Sequence, residues 1–228
     1  VIVSPGGGII SLDVPGIDGK NVVKSEDIKE MCAGKVPEGK GMLWKAAVAA
    51  IKAQGGTVGF MRMGLNMKSG PTAIVGKRVV VVGGGFAGLE VAEAMCDGRE
   101  IWVIDPAKKL GNGIGIIDKN PELRKLKKEG VKILTLTKVK AYTDEGVLCE
   151  DAEGKEFTVP ADTIIAGTVC VDNTSLYEQV KAVLGEEHLH LIGNASPHTD
   201  WEGVAANDPY GTPEFKRLLE AVRDGYLT

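Results

Sequence analysis

Runs of β-branched residues alternate with helically spaced apolar positions through the middle of this chain. Residues 79–82 are four valines with no polar position, as a strand buried on both faces requires. A helix is predicted over 86–96, then a second apolar strand over 100–104 and a turn at Gly111-Asn112-Gly113. For the next helix Asn120 reads as the cap, Pro121 as the first turn and Gly130 as the stop, with Glu122 near the positive end. Residues 133–139 read as one strand. Residues 147–150 and 156–159 flank Asp151-Ala152-Glu153-Gly154-Lys155 as a β-hairpin, and 163–166 return as a buried strand ending at Gly167. This order predicts an α/β fold on a parallel sheet, with a β-meander excursion before the last parallel strand.

The flanks are less regular. Residues 1–24 read as a short strand, a turn at Gly6-Gly7-Gly8 and an extended segment through Pro15; 25–35 read as a helix capped by Ser25 and stopped by Gly34. Leu43, Trp44, Ala47, Val48 and Ile51 fall on one helical face, with Gly55-Gly56 as the stop. Residues 58–67 carry three methionines, a face that reads as core, with a partner surface as the alternative. Gly70-Pro71 breaks the chain before the valine strand. A short strand over 189–192 ends at Gly193-Asn194, and a last helix starts at Pro213, capped by Thr212.

Composition narrows the classes. With 228 residues, 43% hydrophobic and 25% charged, the chain has the makings of a real core. A net charge of −4 argues against nucleic acid or an anionic membrane as partner. The basic run Arg124, Lys125, Lys127 and Lys128 reads as a solvated helix face. Cys32, Cys96, Cys149 and Cys170 are 64, 53 and 21 residues apart, so no C-x-x-C dithiol or iron–sulfur ligand set is encoded. Unpaired cysteines suggest a reducing, cytoplasmic setting. No apolar run reaches 18 residues, so no membrane span is expected. Because the chain opens in a strand without an initiator Met, it is expected to be part of a longer polypeptide.

The candidate chemistry lies where the valine strand ends. Gly83-Gly84-Gly85-Phe86-Ala87-Gly88 is a G-x-G-x-x-G between strand and helix. Gly83 permits the tight turn, Gly85 lets backbone approach a diphosphate, and Gly88 lets the helix lie close to the sheet. Free N–H groups at the helix start suit phosphate. Asp105, followed by Pro106, ends the next strand 17 residues after Gly88, where a carboxylate takes the hydroxyls of an adenosine ribose. It favours NAD(H) over NADP(H), although Lys108 and Lys109 keep the phosphorylated form open. Gly167 fits a crevice at the carboxyl edge of the sheet. His188 and His190 have no third ligand nearby, so no metal site is expected. His198 has no evident nucleophile, and no catalytic residue is assigned.

The order resembles the FAD/NAD(P)-dependent flavoprotein oxidoreductase superfamily. Within it the chain is most similar to the C-terminal nucleotide-binding part of NADH:flavin oxidoreductases of the 2-enoate reductase and 2,4-dienoyl-CoA reductase type. The matching residues are Val14-Pro15-Gly16-Ile17-Asp18-Gly19-Lys20-Asn21-Val22-Val23, the fingerprint from Gly76 with Glu90, Glu129-Gly130-Val131-Lys132-Ile133, Lys138-Val139 and Ala161-Asp162-Thr163-Ile164-Ile165-Ala166. His190-Leu191-Ile192-Gly193-Asn194-Ala195 and Ala221-Val222-Arg223-Asp224-Gly225-Tyr226 complete the match.

The resemblance implies a Rossmann-like FAD/NAD(P)-binding fold. It divides the chain into a partial flavin-domain segment with a helical insert (1–74), an NAD(P)H-binding domain (75–167) and a C-terminal partial flavin-domain segment (168–228). It implies hydride delivery from NAD(P)H to FAD in an intact parent that reduces an activated C=C bond, with the flavin, barrel and iron–sulfur parts outside this chain. It places Glu90 near the nicotinamide, a helix-dipole role being the alternative, and Val139 on the adenine, with core packing as the alternative. Gly193 and Asn194 fall on the flavin ribityl contact. Where the family carries Ala-Thr-Gly, Gly-Arg-Arg-Pro-Asn and Gly-Asp, this chain has Ser4-Pro5-Gly6, Gly167-Thr168-Val169-Cys170-Val171-Asp172-Asn173 and Gly193-Asn194, so FAD is not expected to be held by this chain alone. Two alternatives stand beside this reading: an electron-input subunit of the glutamate synthase small-subunit type, and a non-catalytic nucleotide-binding or assembly domain.

Overall fold

The computed structural model describes residues 1–53, 74–111, 116–171, 173–187 and 189–192. The chain divides into two compact units, one of residues 1–10, 112–118 and 169–228, the other of 11–111 and 119–168. The expected flavin-domain segment 1–74 thus contributes to both.

The second unit is built on a five-stranded parallel sheet. Its strands are β3 (Val22–Val23), β4 (Arg78–Val82), β5 (Glu100–Ile104), β6 (Lys132–Leu134) and β10 (Thr163–Ile165), in the order β3-β10-β4-β5-β6. Val79, Val80 and Val81 are almost fully buried, which is why this strand reads as an unbroken apolar run. Val80 pairs with Trp102 on one side and Ile164 on the other, so β4 is central. A separate antiparallel meander of β7 (Lys138–Thr143), β8 (Gly146–Glu150) and β9 (Glu156–Pro160) leaves the chain between β6 and β10. The two sheets share one core, in which Val80, Ile104 and Ile164 pack with Tyr142, Val147, Cys149 and Val159.

Helix α1 (Ser25–Cys32) and helix α2 (Met42–Ala53) form a second cluster, with Met31, Trp44, Val48 and Ile51 against Val23. Between them Lys40 and Asp27 make an ion pair of 3.3 Å, with side chains only 5% and 4% exposed. The Lys40 ammonium also donates to Val22 O and lies 5.3 Å from the Trp44 ring centre. Helix α3 (Phe86–Met95) follows β4, and helix α4 (Ile116–Lys128) lies between β5 and β6.

In the first unit, β1 (Ile2–Val3) pairs in parallel with β12 (His190–Leu191), and helix α5 (Ser175–Leu184) has no fully buried side chain. Strands β2 (Gly8–Ser11) and β11 (Thr168–Val171) pair with each other.

Five expectations are corrected. Residues 133–139 are two strands, because the backbone at 135–137 turns out of the parallel sheet into the meander, with Leu136 at φ 54°. Helix α4 starts about a turn before Asn120 and holds Pro121 as its sixth residue; proline's fixed φ is helical, but its missing N–H forgoes the bond to the carbonyl four residues back. Lys24, not Ser25, is the N-cap of α1: its N–H donates to Asp27 Oδ2 at 2.9 Å, so the acid three residues on supplies the cap. Leu43 is 57% exposed, as the buried stripe of α2 runs through Trp44, Val48 and Ile51. Finally, Gly8, expected in the turn with Gly6 and Gly7, lies within β2.

The methionine-bearing stretch 58–67, the stops at Gly55-Gly56 and Gly70-Pro71, Asn112 and Gly113, His188, His198 and the helix from Pro213 lie outside the described residues. Among the described residues no helix is long and apolar enough to cross a membrane, and no cluster of potential metal ligands occurs.

Candidate dinucleotide site

Parallel pairing brings the site together. Val82 at the end of β4 pairs with Ile104 at the end of β5, so the residues that follow each strand leave the sheet at the same edge. Those residues are the glycine turn and Asp105. Gly83 has φ +97° and open space where a Cβ would stand, a backbone state that favours glycine. Its N–H donates to Ile104 O at 2.8 Å. Gly85 is the N-cap of α3, and Leu89 N–H donates to Gly85 O at 3.1 Å. No side chain caps α3, so the N–H groups of its first turn, at Phe86, Ala87 and Gly88, have no intrahelical acceptor. Their donors and the positive end of the helix dipole suit an anion. A Cβ on Gly88 would come within 1.9 Å of Gly83 O. Glycine at 88 is therefore what lets the helix lie on the turn.

The Asp105 carboxylate ties the two strand ends. Its Oδ2 accepts the Gly84 N–H at 2.6 Å and its Oδ1 accepts the Ala107 N–H at 2.7 Å. A carboxylate offers about four lone-pair positions, so two remain for further donors. Pro106 is exposed. The loop then folds back: Leu110 is buried over Gly84, where a Cβ would meet Leu110 Cδ2 at 2.3 Å, and Gly111 N–H donates to Gly84 O at 2.7 Å. Thus Gly84 is covered by protein, while the Gly83 side of the turn is open.

The other candidates are more dispersed. Gly167 is buried beside the end of β4, where a Cβ would meet Leu12 Cδ1 at 2.9 Å and Val82 Cγ1 at 3.0 Å. Glu90 is exposed on α3. Val139, on β7, is half-buried against the shared core. Gly193 and Asn194 lie outside the described residues.

The cysteines in view are ill suited to thiol chemistry. Cys96 and Cys149 are both free. Burial pushes the Cys149 thiol up to about 11, and burial together with the carboxylate of Glu129 raises that of Cys96. Neither is a thiolate near neutral pH.

Sequence reasoning missed the Leu110 cover and the turn at Leu136, whose N–H donates to Ala107 O at 3.2 Å. An apolar residue after the Lys108-Lys109 pair was the available clue to the first. The second carries no glycine or asparagine that would have marked it.

A parallel sheet with a glycine turn and an acidic residue at the next strand's end defines the Rossmann-like FAD/NAD(P)-binding fold. The chain belongs to the pyridine nucleotide-disulphide oxidoreductase family, whose model matches residues 1–192. It is 34% identical over 92 residues to a dihydrolipoyl dehydrogenase of Staphylococcus aureus, covering 39% of this chain and 20% of that protein. It is 34% identical over 89 residues to a bilirubin reductase of Mediterraneibacter gnavus, covering 39% of this chain and 14% of that protein. Among solved structures it is similar to a 2-naphthoyl-CoA reductase in complex with 2-naphthoyl-CoA, with TM-score 0.60 and 20% identity over 99% of this chain and 26% of that one. The chain thus spans about a quarter or less of each of these proteins.

Proposed function

We propose that this chain is the NADH-binding module of an FAD-dependent oxidoreductase. In this reading the first turn of α3 and the Gly83 side of the turn hold the diphosphate. Asp105 receives the two ribose hydroxyls on its remaining lone pairs. The observation that carries the reading is the 2.6 Å bond from Gly84 N–H to Asp105, which fixes the carboxylate beside the glycine turn. Its charge would repel a 2′-phosphate, which favours NADH over NADPH. Glu90 and Gly167 are proposed to border the nicotinamide half, and Val139 the adenine half. NAD(P)H supplies hydride, and FAD in the intact parent accepts it. The chain's own part is to bind and orient the dinucleotide.

The parent is proposed to reduce an activated C=C bond rather than a disulphide. Two of the similar proteins are named as reductases of bilirubin and 2-naphthoyl-CoA, which supports this reading. The segments 1–74 and 168–228 are then partial flavin-domain pieces around the NADH-binding domain at 75–167, and flavin contacts from Gly193 and Asn194 belong to the intact parent. A second reading, a non-catalytic nucleotide-binding or assembly domain, draws on the occupied Asp105 oxygens and the Leu110 cover.

Calorimetry of the 228-residue chain with NADH, NADPH and FAD separates the readings. NADH binding alone is expected. Tight FAD binding would remove the partial-flavin-domain assignment, and no binding of any nucleotide would favour the assembly role.

A further inference from the structure

Leu136 is the only non-glycine residue with positive φ among the described residues, and it is also 44% exposed. A branched side chain in that backbone region is strained, and such strain persists only where surrounding bonds hold it. Those bonds are present. Asp105 N–H donates to Leu134 O at 2.9 Å, Leu136 N–H to Ala107 O at 3.2 Å, and Thr137 N–H to Asp105 O at 3.2 Å. Thr137 is 3% exposed and its hydroxyl donates to Thr135 O at 3.0 Å. The turn at 135–137 is therefore bonded directly to the Asp105–Ala107 loop, at the carboxyl end of the strand next to β5.

We propose that Leu136 is a binding residue that packs on the adenine ring of the dinucleotide. The inference rests on the dinucleotide reading above and extends it. With the diphosphate at the end of β4 and the ribose at the end of β5, a ligand continuing in the same direction carries its base beside the end of β6, the next strand in the sheet. Leu136 is the exposed large apolar residue there, while Val139 is half-buried against the shared core. An apolar side chain on one face of a base excludes water and is indifferent to the nicotinamide half. The strained backbone is what keeps this residue beside Asp105.

The test is calorimetry of the wild-type chain, Leu136→Asn and Leu136→Met with NADH and with ADP-ribose, alongside thermal unfolding. Asparagine accepts positive φ and removes the apolar surface. It should weaken both ligands roughly five- to ten-fold while leaving Tm unchanged or raised by a few degrees. Methionine keeps an apolar face and should stay within about two-fold of wild type. Equal affinities in all three proteins, or weakened NADH with unchanged ADP-ribose, would overturn the assignment and leave the dinucleotide reading standing. Failure of the wild-type chain to bind either ligand would remove that reading, and this one with it.

Discussion

Two aspartates in this fold are held in opposite ways. Asp27 is 3% exposed and faces a buried ammonium, Lys40, which also touches a carbonyl and an indole. Asp105 is half-buried, takes part in none of the ion pairs among the described residues, and is held by two backbone N–H groups. The first carboxylate is closed off by protein and serves packing. The second is positioned without being neutralised by a cation, so it can still accept donors from outside. The contrast separates a carboxylate spent on stability from one left available for a ligand.

The largest expected effect is at the closed pair. Lys40→Met leaves Asp27 buried without its cation and should cost about 3–5 kcal/mol in urea unfolding, since one partner is lost and the other stays desolvated. A loss below about 1 kcal/mol would mean that water reaches Asp27 and that the two aspartates are not so different. Gly88→Ala comes next. Its Cβ would meet Gly83 O, so helix and turn must separate, at about 1–3 kcal/mol. NADH binding should fall with it, measured on protein still folded by circular dichroism.

The smallest effect concerns acid. Burial alone would raise the Glu26 carboxyl, but donors from the Ser11 hydroxyl and N–H and from the Ser25 hydroxyl hold it at about 2. A folded value below the unfolded one stabilises the protein above pH 4.5, and that contribution fades as pH falls toward 2. Because Glu26 is partly exposed, it should be worth about 1 kcal/mol. Glu26→Gln should flatten the stability profile between pH 5 and about 2 by that amount, and a profile identical to wild type would remove the claim.

What the sequence conveyed is what local spacing encodes. Four consecutive valines and the glycines at 83, 85 and 88 identify a buried strand and its turn, since both patterns reflect short-range backbone demands. The hairpin at 151–155 was legible for the same reason. The break at 135–137 was not: the run Ile133-Leu134-Thr135-Leu136-Thr137 alternates like a strand, and its turn is imposed by bonds to 105–107. Asn120-Pro121 resembles a helix start, yet proline fits inside the early part of α4. Helix α5 is carried by local spacing too, at Leu176, Val180, Val183 and Leu184. At the site, the aspartate was legible by its distance from the glycines. Its contact with Gly84 and the Leu110 cover arise from tertiary pairing alone.

The central claim is that Asp105 holds a ribose beside the glycine turn. The most direct measurement is titration of NADH into the wild-type chain and Asp105→Asn, with thermal unfolding of both. The amide oxygen can still accept one of the two backbone N–H groups, so folding should be retained. NADH affinity is expected to drop roughly 10- to 100-fold, as the loss of charge-assisted hydrogen bonds implies. Equal NADH affinity in the two folded proteins would contradict the account.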